Sequence, residues 1–124
     1  MSTYIRDFSN NALLKQVIAP QLLTATTTNA TGVDMINGDG QCWMELALGT
    51  WNATSLSVQV QQSTTTNSGF TDITGAVIAA TTAQSAGIQT VNFRRDYQYL
   101  RVIATVSGTT IGISAVIGES LKVL

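Results

Sequence analysis

The chain has 124 residues, of which 44% are hydrophobic and only 10% charged, and its net charge is −1. Soluble domains typically carry about 25% charged residues, so Ser, Thr, Asn and Gln must supply most of the polar surface here. This balance argues against nucleic-acid binding, which needs a basic patch or stripe, and no apolar run approaches the ~20 residues of a membrane-spanning helix.

One domain is expected, able to bury roughly two thirds of its unfolded-chain surface without metal or disulfide. Little charge repulsion keeps copies apart. Such a surface suits a subunit covered by neighbours, so a homo-oligomer is expected. The first residues, Met1-Ser2-Thr3-Tyr4-Ile5-Arg6-Asp7, lack a charged region followed by an apolar core, so no signal peptide is expected.

Residues 1–20 admit two forms. Residues 11–18 have the spacing for two helical turns, with Ser9 or Asn10 as cap and Pro20 as stop. Two turns alone are marginal, which favours an extended arm laid along the domain or across a neighbour. Residues 21–124 read as β. Residues 22–28 are Thr-rich and suit a strand, 29–32 a turn, and 33–36 a short strand. Asn37-Gly38-Asp39-Gly40 is a tight-turn signal. In 41–48, Cys42, Met44, Leu46 and Leu48 share one face and Gln41, Trp43, Glu45 and Ala47 the other.

Residues 49–53, with Trp51, read as a loop leading into a second alternating strand in which Leu56, Val58 and Val60 face inward. The polar run 62–69 predicts an exposed loop. Phe70 and Ile73 return to the core, Gly75 turns the chain, and 76–80 forms another short strand. A loop at 81–87, a strand at 88–93 and a strong strand at 97–106 follow, the last with Leu100, Val102, Ala104 and Val106 inward. Ser107-Gly108-Thr109 reads as a hairpin turn. The return strand, 110–117, has Ile111, Ile113, Ala115 and Ile117 on one side, with Gly112 and Gly118 marking a bulge or a close backbone approach. Strands separated by turns about every ten residues predict a single-domain antiparallel β-sandwich, jelly-roll or immunoglobulin-like.

Chemistry is sparse. There is no histidine, so the commonest general base and zinc ligand is missing. The single cysteine, Cys42, lies on an inward face and reads as a buried structural thiol. Asp34, Asn37, Asp39 and Glu45 invite a calcium reading, but an EF-hand needs oxygen ligands where Ile36 and Gly38 stand and glycine where Asp39 stands. The sequons at Asn29 and Asn52 read as chance matches. No enzyme, cofactor or metal is expected.

The one cluster of charge with aromatics is 93–101. Arg94, Arg95, Tyr97, Tyr99 and Arg101 are contact candidates because Arg and Tyr are favoured at interfaces; the alternative is a surface turn with a local Arg–Asp pair. Trp51, and Tyr4 and Phe8 on the arm, complete the candidate interface. Trp43 and Trp51 also suggest a sugar-stacking face, although packing is the commoner role for tryptophan.

From about residue 33 to 122 the sequence resembles a family of small β-sandwich virion proteins of tailed bacteriophages, the capsid decoration (cement) or head-stabilising proteins. The resemblance is carried by Val33-Asp34, by Leu56-Ser57-Val58-Gln59-Val60-Gln61-Gln62-Ser63 with Phe70-Thr71-Asp72-Ile73, by Tyr99-Leu100-Arg101-Val102 and by Ser107-Gly108-Thr109. It implies a trimer on the capsid exterior, bound to the major capsid protein and clamping neighbouring hexamers, in a virion made in a bacterial cytoplasm. The alternative is a carbohydrate-binding β-sandwich module of a phage tail or fibre.

Overall fold

The computed structural model describes residues 12–24, 27–28, 32–36, 38–80 and 87–121. It is an all-β single domain of seven strands: β1 (Ala12–Leu23), β2 (Thr27–Thr28), β3 (Val33–Asp34), β4 (Gly38–Ser63), β5 (Thr71–Ala80), β6 (Gly87–Arg94) and β7 (Tyr99–Leu121). All pairings are antiparallel and belong to one curled sheet.

Two long strands organise it. β4 and β7 pair with each other from Cys42↔Glu119 to Ser63↔Tyr99. The first half of β4 also pairs with β6, and its second half with β5. The second half of β7 pairs with β1, and its first half with β2 and β3. The curled sheet thus folds into two layers, β1–β7–β4–β6 and β2/β3–β7–β4–β5, which share their two central strands. Their inward faces form one core that includes Met44, Leu46, Ile113 and Ile117 from one layer and Val58, Val60, Leu100 and Val102 from the other. Burying each such side chain fully contributes about 1.5–3 kcal/mol.

The alternation predicted for 41–48, 55–61 and 97–106 is present, and Cys42, Met44, Leu46, Leu48, Leu56, Val58 and Val60 are all buried. Two predicted interruptions are not. The expected loop at 49–53 lies within β4, and the expected hairpin at 107–109 lies within β7. Both mark the corner where the shared strands pass from one layer to the other. Leu48 pairs with Ile113 and Leu56 with Val106, so eight steps along β4 match seven along β7. The difference is the net of three register shifts between Leu48 and Ser55, irregularities of the bulge kind, which bend a strand without ending its pairing. It also explains why inward positions are even in the first half of β7 and odd in the second.

Gly108 sits at this corner with φ +109°, and a Cβ there would lie 2.5 Å from the Thr54 backbone nitrogen. The chain bends here and does not reverse, because both flanks of Gly108 remain paired to β4. Likewise, Gly75 does not separate two strands. It lies in a bulge of β5 between Val77, opposite Gln59, and Asp72, opposite Gln61. The Gln59 side-chain amide fills that bulge by donating to the carbonyls of Ile73 and Ala76 at 3.0 and 3.2 Å.

Of the two forms considered for residues 1–20, the described part takes the extended one. From Ala12 it is strand β1, laid along β7, with Val17 and Ile18 buried. The strand continues to Leu23, across the boundary expected at residue 20. Backbone pairing along β7 supplies what two isolated helical turns lack. The expected turns at 29–31 and at Asn37, and the expected loop at 81–86, lie outside the described residues.

Two glycine substitutions test the corner. Gly75 also has positive φ, but a Cβ there meets nothing within 4 Å. Gly75→Ala should therefore cost only the left-handed backbone penalty of about 1–2 kcal/mol. Gly108→Ala should cost more, because a backbone clash is added. Thermal denaturation of the two variants should show the larger drop in melting temperature for Gly108→Ala.

Candidate functional site

The contact candidates gather where β6 ends and β7 begins. The connecting turn at 95–98 is fastened from beneath. The Arg95 side chain leaves the surface and donates its Nε hydrogen to Glu119 Oε2 at 2.6 Å. It also donates to the carbonyls of Met35 at 2.5 Å and Tyr97 at 3.1 Å. Glu119 is fully buried, and its Oε2 also accepts from the Gly40 backbone N–H at 2.7 Å. Gln62, another buried polar residue, accepts at Oε1 from the backbone N–H groups of Asp96 and Tyr97. Met35 N–H donates to the Gln98 carbonyl, and Gln98 Nε2 donates to Asp34 Oδ1. Segments 34–36, 38–40, 62 and 95–98 are thereby tied into one unit around a buried charge pair.

Arg95 is thus an internal fastener, bonded to Glu119 and not to neighbouring Asp96. Register explains the difference from Arg94, which pairs with Gln41 on the outward face of the sheet and is exposed. Tyr97 is also exposed, while Tyr99 is half-buried. Arg101 lies over the Phe70 ring at 4.3 Å and donates to Gln61 Oε1, which places it on the outer face of the second layer. Trp51 is half-buried against the core at the corner, well along β4 from the turn. Tyr4 and Phe8 lie outside the described residues. The structure therefore brings Arg94 and Tyr97 to one turn and assigns Arg95 to its foundation.

Glu119 was missed in the sequence, although a signal was present. It continues the odd-numbered inward series Ile111, Ile113, Ala115 and Ile117, so a carboxylate was due to arrive in the core and to need a partner there. Cys42 pairs with Glu119 across the ladder. Burial, reinforced by the negative charge and hydrogen bonding of Glu119, pushes the Cys42 thiol up to about 12, the opposite of what a nucleophile needs. Asp34 and Asp39 accept from the nearby backbone N–H groups of Ile36 and Gln41, and Glu45 accepts from Trp43. Among the described residues no three His, Cys, Asp or Glu side chains converge as a metal site would require.

No protein-family model matches this chain, and no curated protein matches it. Solved structures share its fold. The PBSX exported protein XepA superposes with a TM-score of 0.66 over 99% of this chain and 41% of its own, at 10% identity. A chain of infectious bursal disease virus, Gx strain, gives 0.52 over 89% and 32%, at 11% identity. A carbohydrate-binding module from Cellvibrio mixtus lichenase 5A gives 0.45 over 89% and 91%, at 14% identity, a likeness too distant to carry an argument. These identities show a common fold alone, and this chain spans less than half the length of the first two.

Two measurements probe the turn. Removing one member of a buried ion pair typically costs about 3–5 kcal/mol, because the other charge is left unpaired, whereas replacing both is often tolerated. Urea denaturation should show that loss for Arg95→Met and a smaller one for Arg95→Met/Glu119→Leu. Cys42 adds a pH dependence. Below about pH 9 the thiol keeps its proton in both folded and unfolded chains and contributes nothing; from there to about 12 the unfolded chain loses the proton first. Stability should therefore fall with rising pH in this window, and less steeply in Cys42→Ala.

Proposed function

We propose that this chain is a structural virion protein of a tailed bacteriophage, a capsid decoration protein. In this reading three copies assemble and bind the outer surface made by the major capsid protein, stabilising the shell by non-covalent contact and performing no catalysis. The observation that carries it is the fastened turn, which presents exposed Arg94 and Tyr97 on backbone held by the buried Arg95–Glu119 pair. Contact residues that are already ordered lose little freedom on docking, and Arg and Tyr are frequent interface anchors. The scarcity of charge over the whole chain supports association, as does the sequence resemblance. A protein that binds the assembled shell and not its free subunits shifts the equilibrium toward the shell by mass action.

The test has two parts. Light scattering over a concentration series should give three times the 13.1 kDa chain mass; a monomer at every concentration would overturn the oligomer. The double variant Arg94→Ala/Tyr97→Ala should melt like the parent, since exposed substitutions usually change stability by less than about 0.5 kcal/mol. Its co-sedimentation with capsids of the encoding phage should weaken by roughly tenfold or more. Undiminished binding would remove the turn from the interface, and absence of the protein from purified virions would sink the assignment.

A further inference from the structure

A sheet edge offers a row of unpaired N–H and C=O groups to any passing strand. Proteins usually block it with a very short strand, a lysine or other charge, a proline or a bulge. Among the described residues, four of the outer strands carry such a device. β2 and β3 have two residues each. β1 holds Lys15 and Pro20, with register shifts between Gln16 and Ile18 and between Ile18 and Gln21. β5 carries Asp72 and breaks its register at the Gly75 bulge. β6 has none of these. From Gly87 to Phe93 it contains no charged residue and no proline, and its register with β4 runs without a shift from Gln41↔Arg94 to Leu48↔Gly87. Among the described residues no strand pairs with its other edge. Its outward side chains Ile88, Thr90 and Asn92 are exposed, Ile88 to 69%.

We propose that the β6 edge is an interface between two copies of this chain, which pair β6 antiparallel to β6 about a two-fold axis at Thr90. The strand's own sequence favours itself as the partner. With the axis at Thr90, the two threonines face each other. Gln89 of each copy lies opposite Val91 of the other, and Ile88 opposite Asn92. Outward residues then meet outward residues and inward meet inward, as a continuous pleated sheet requires. Threonine pairs across antiparallel strands are stabilising, whereas like charges directly opposite are not. No charged residue falls within the stretch 87–93, and the two Arg94 positions sit at opposite ends of the ladder, about 26 Å apart. An axis at Asn92 would bring them to about 13 Å and shorten the ladder. The contact is isologous and joins the β1–β7–β4–β6 layers of two copies into one sheet. A two-fold contact cannot close a ring of three, so it is separate from the three-fold association proposed above and links copies of different assemblies. One short ladder holds weakly by itself; the contact forms at high concentration and not in dilute solution.

Cross-linking reads this register directly. Residues facing each other across an antiparallel pair have Cα atoms about 4.5–5.5 Å apart, inside the ~4.4–6.8 Å that a disulfide spans. Thr90→Cys, on the axis, should therefore give a disulfide-linked pair of twice the 13.1 kDa chain mass when the concentrated full-length protein is oxidised. Ile88→Cys is the control. Its position is exposed, but its counterpart lies about 13 Å away, and it should cross-link roughly tenfold more slowly. Ile88→Cys/Asn92→Cys places thiols opposite each other and should again cross-link readily, which keeps the test decisive if Thr90→Cys misfolds. The parent, whose single cysteine is buried, is the blank. Equal rates for Thr90→Cys and Ile88→Cys would mean random collision and overturn the pairing, as would no product from Thr90→Cys and the double variant. Cross-linked pairs form whether or not the copies also assemble in threes, so the outcome does not depend on the decoration reading.

Discussion

The β4–β7 ladder is the contact on which every other strand depends. β1, β2 and β3 are hydrogen-bonded to β7, and β5 and β6 to β4. Without the ladder these five strands have no common frame. Its register is correspondingly strict. Sliding one strand by a single residue would exchange its inward and outward faces, taking Met44 and Leu46 or Ile113 and Ile117 out of the core. Three successive register shifts at the corner leave one net extra residue in β4 and make a controlled version of that exchange, so that both layers can turn their apolar faces toward each other. Gly108, crowded against the backbone of Ala53 and Thr54, marks the place where it happens.

At the end of the ladder beside the β6–β7 turn, hydrophobic packing gives way to a charged fastener. Glu119 and Arg95 lie in a region where desolvating each ion costs several kcal/mol, offset by their contact and by further hydrogen bonds. The outcome is better described as placement than as net stability. Arg95 reaches the carbonyls of Met35 and Tyr97 together, a task for a planar group with five donors that an apolar residue of the same volume cannot perform. The turn bearing Arg94 and Tyr97 is thereby set relative to Met35 and Gly38. On the outer face of one layer, Trp43 is fixed by comparable means, a glycine beneath it and a carboxylate beside it.

Much of this architecture was legible because side-chain alternation is local. The run from Cys42 to Leu48 and the run from Leu56 to Val60 each announce a strand with one buried face, and the structure keeps them. What escaped was continuity. Small polar residues around Gly49 and Gly108 look the same whether a strand reverses there or turns a corner, and the difference lies in which distant strand the flanks pair with. The same limit applied to the arginines. Arg94 and Arg95 are indistinguishable by type, and only the register with Gln41 and the distant carboxylate of Glu119 sends one outward and the other in. The outward position of Trp43 was legible, but its resting place on Gly118 depends on a partner 75 residues away in sequence.

The order in which these partners leave the ribosome has a consequence. The three earliest described strands, β1, β2 and β3, find their hydrogen-bonding partner in β7, which begins only at Tyr99. Until that segment is synthesised they have nothing to join, and β4 has only β5 and β6. Topologies dominated by such distant contacts fold slowly, and the waiting strands expose unpaired edges that invite association between nascent chains. For a low-charge protein, the interval before β7 is available is therefore the one in which correct folding and premature aggregation compete.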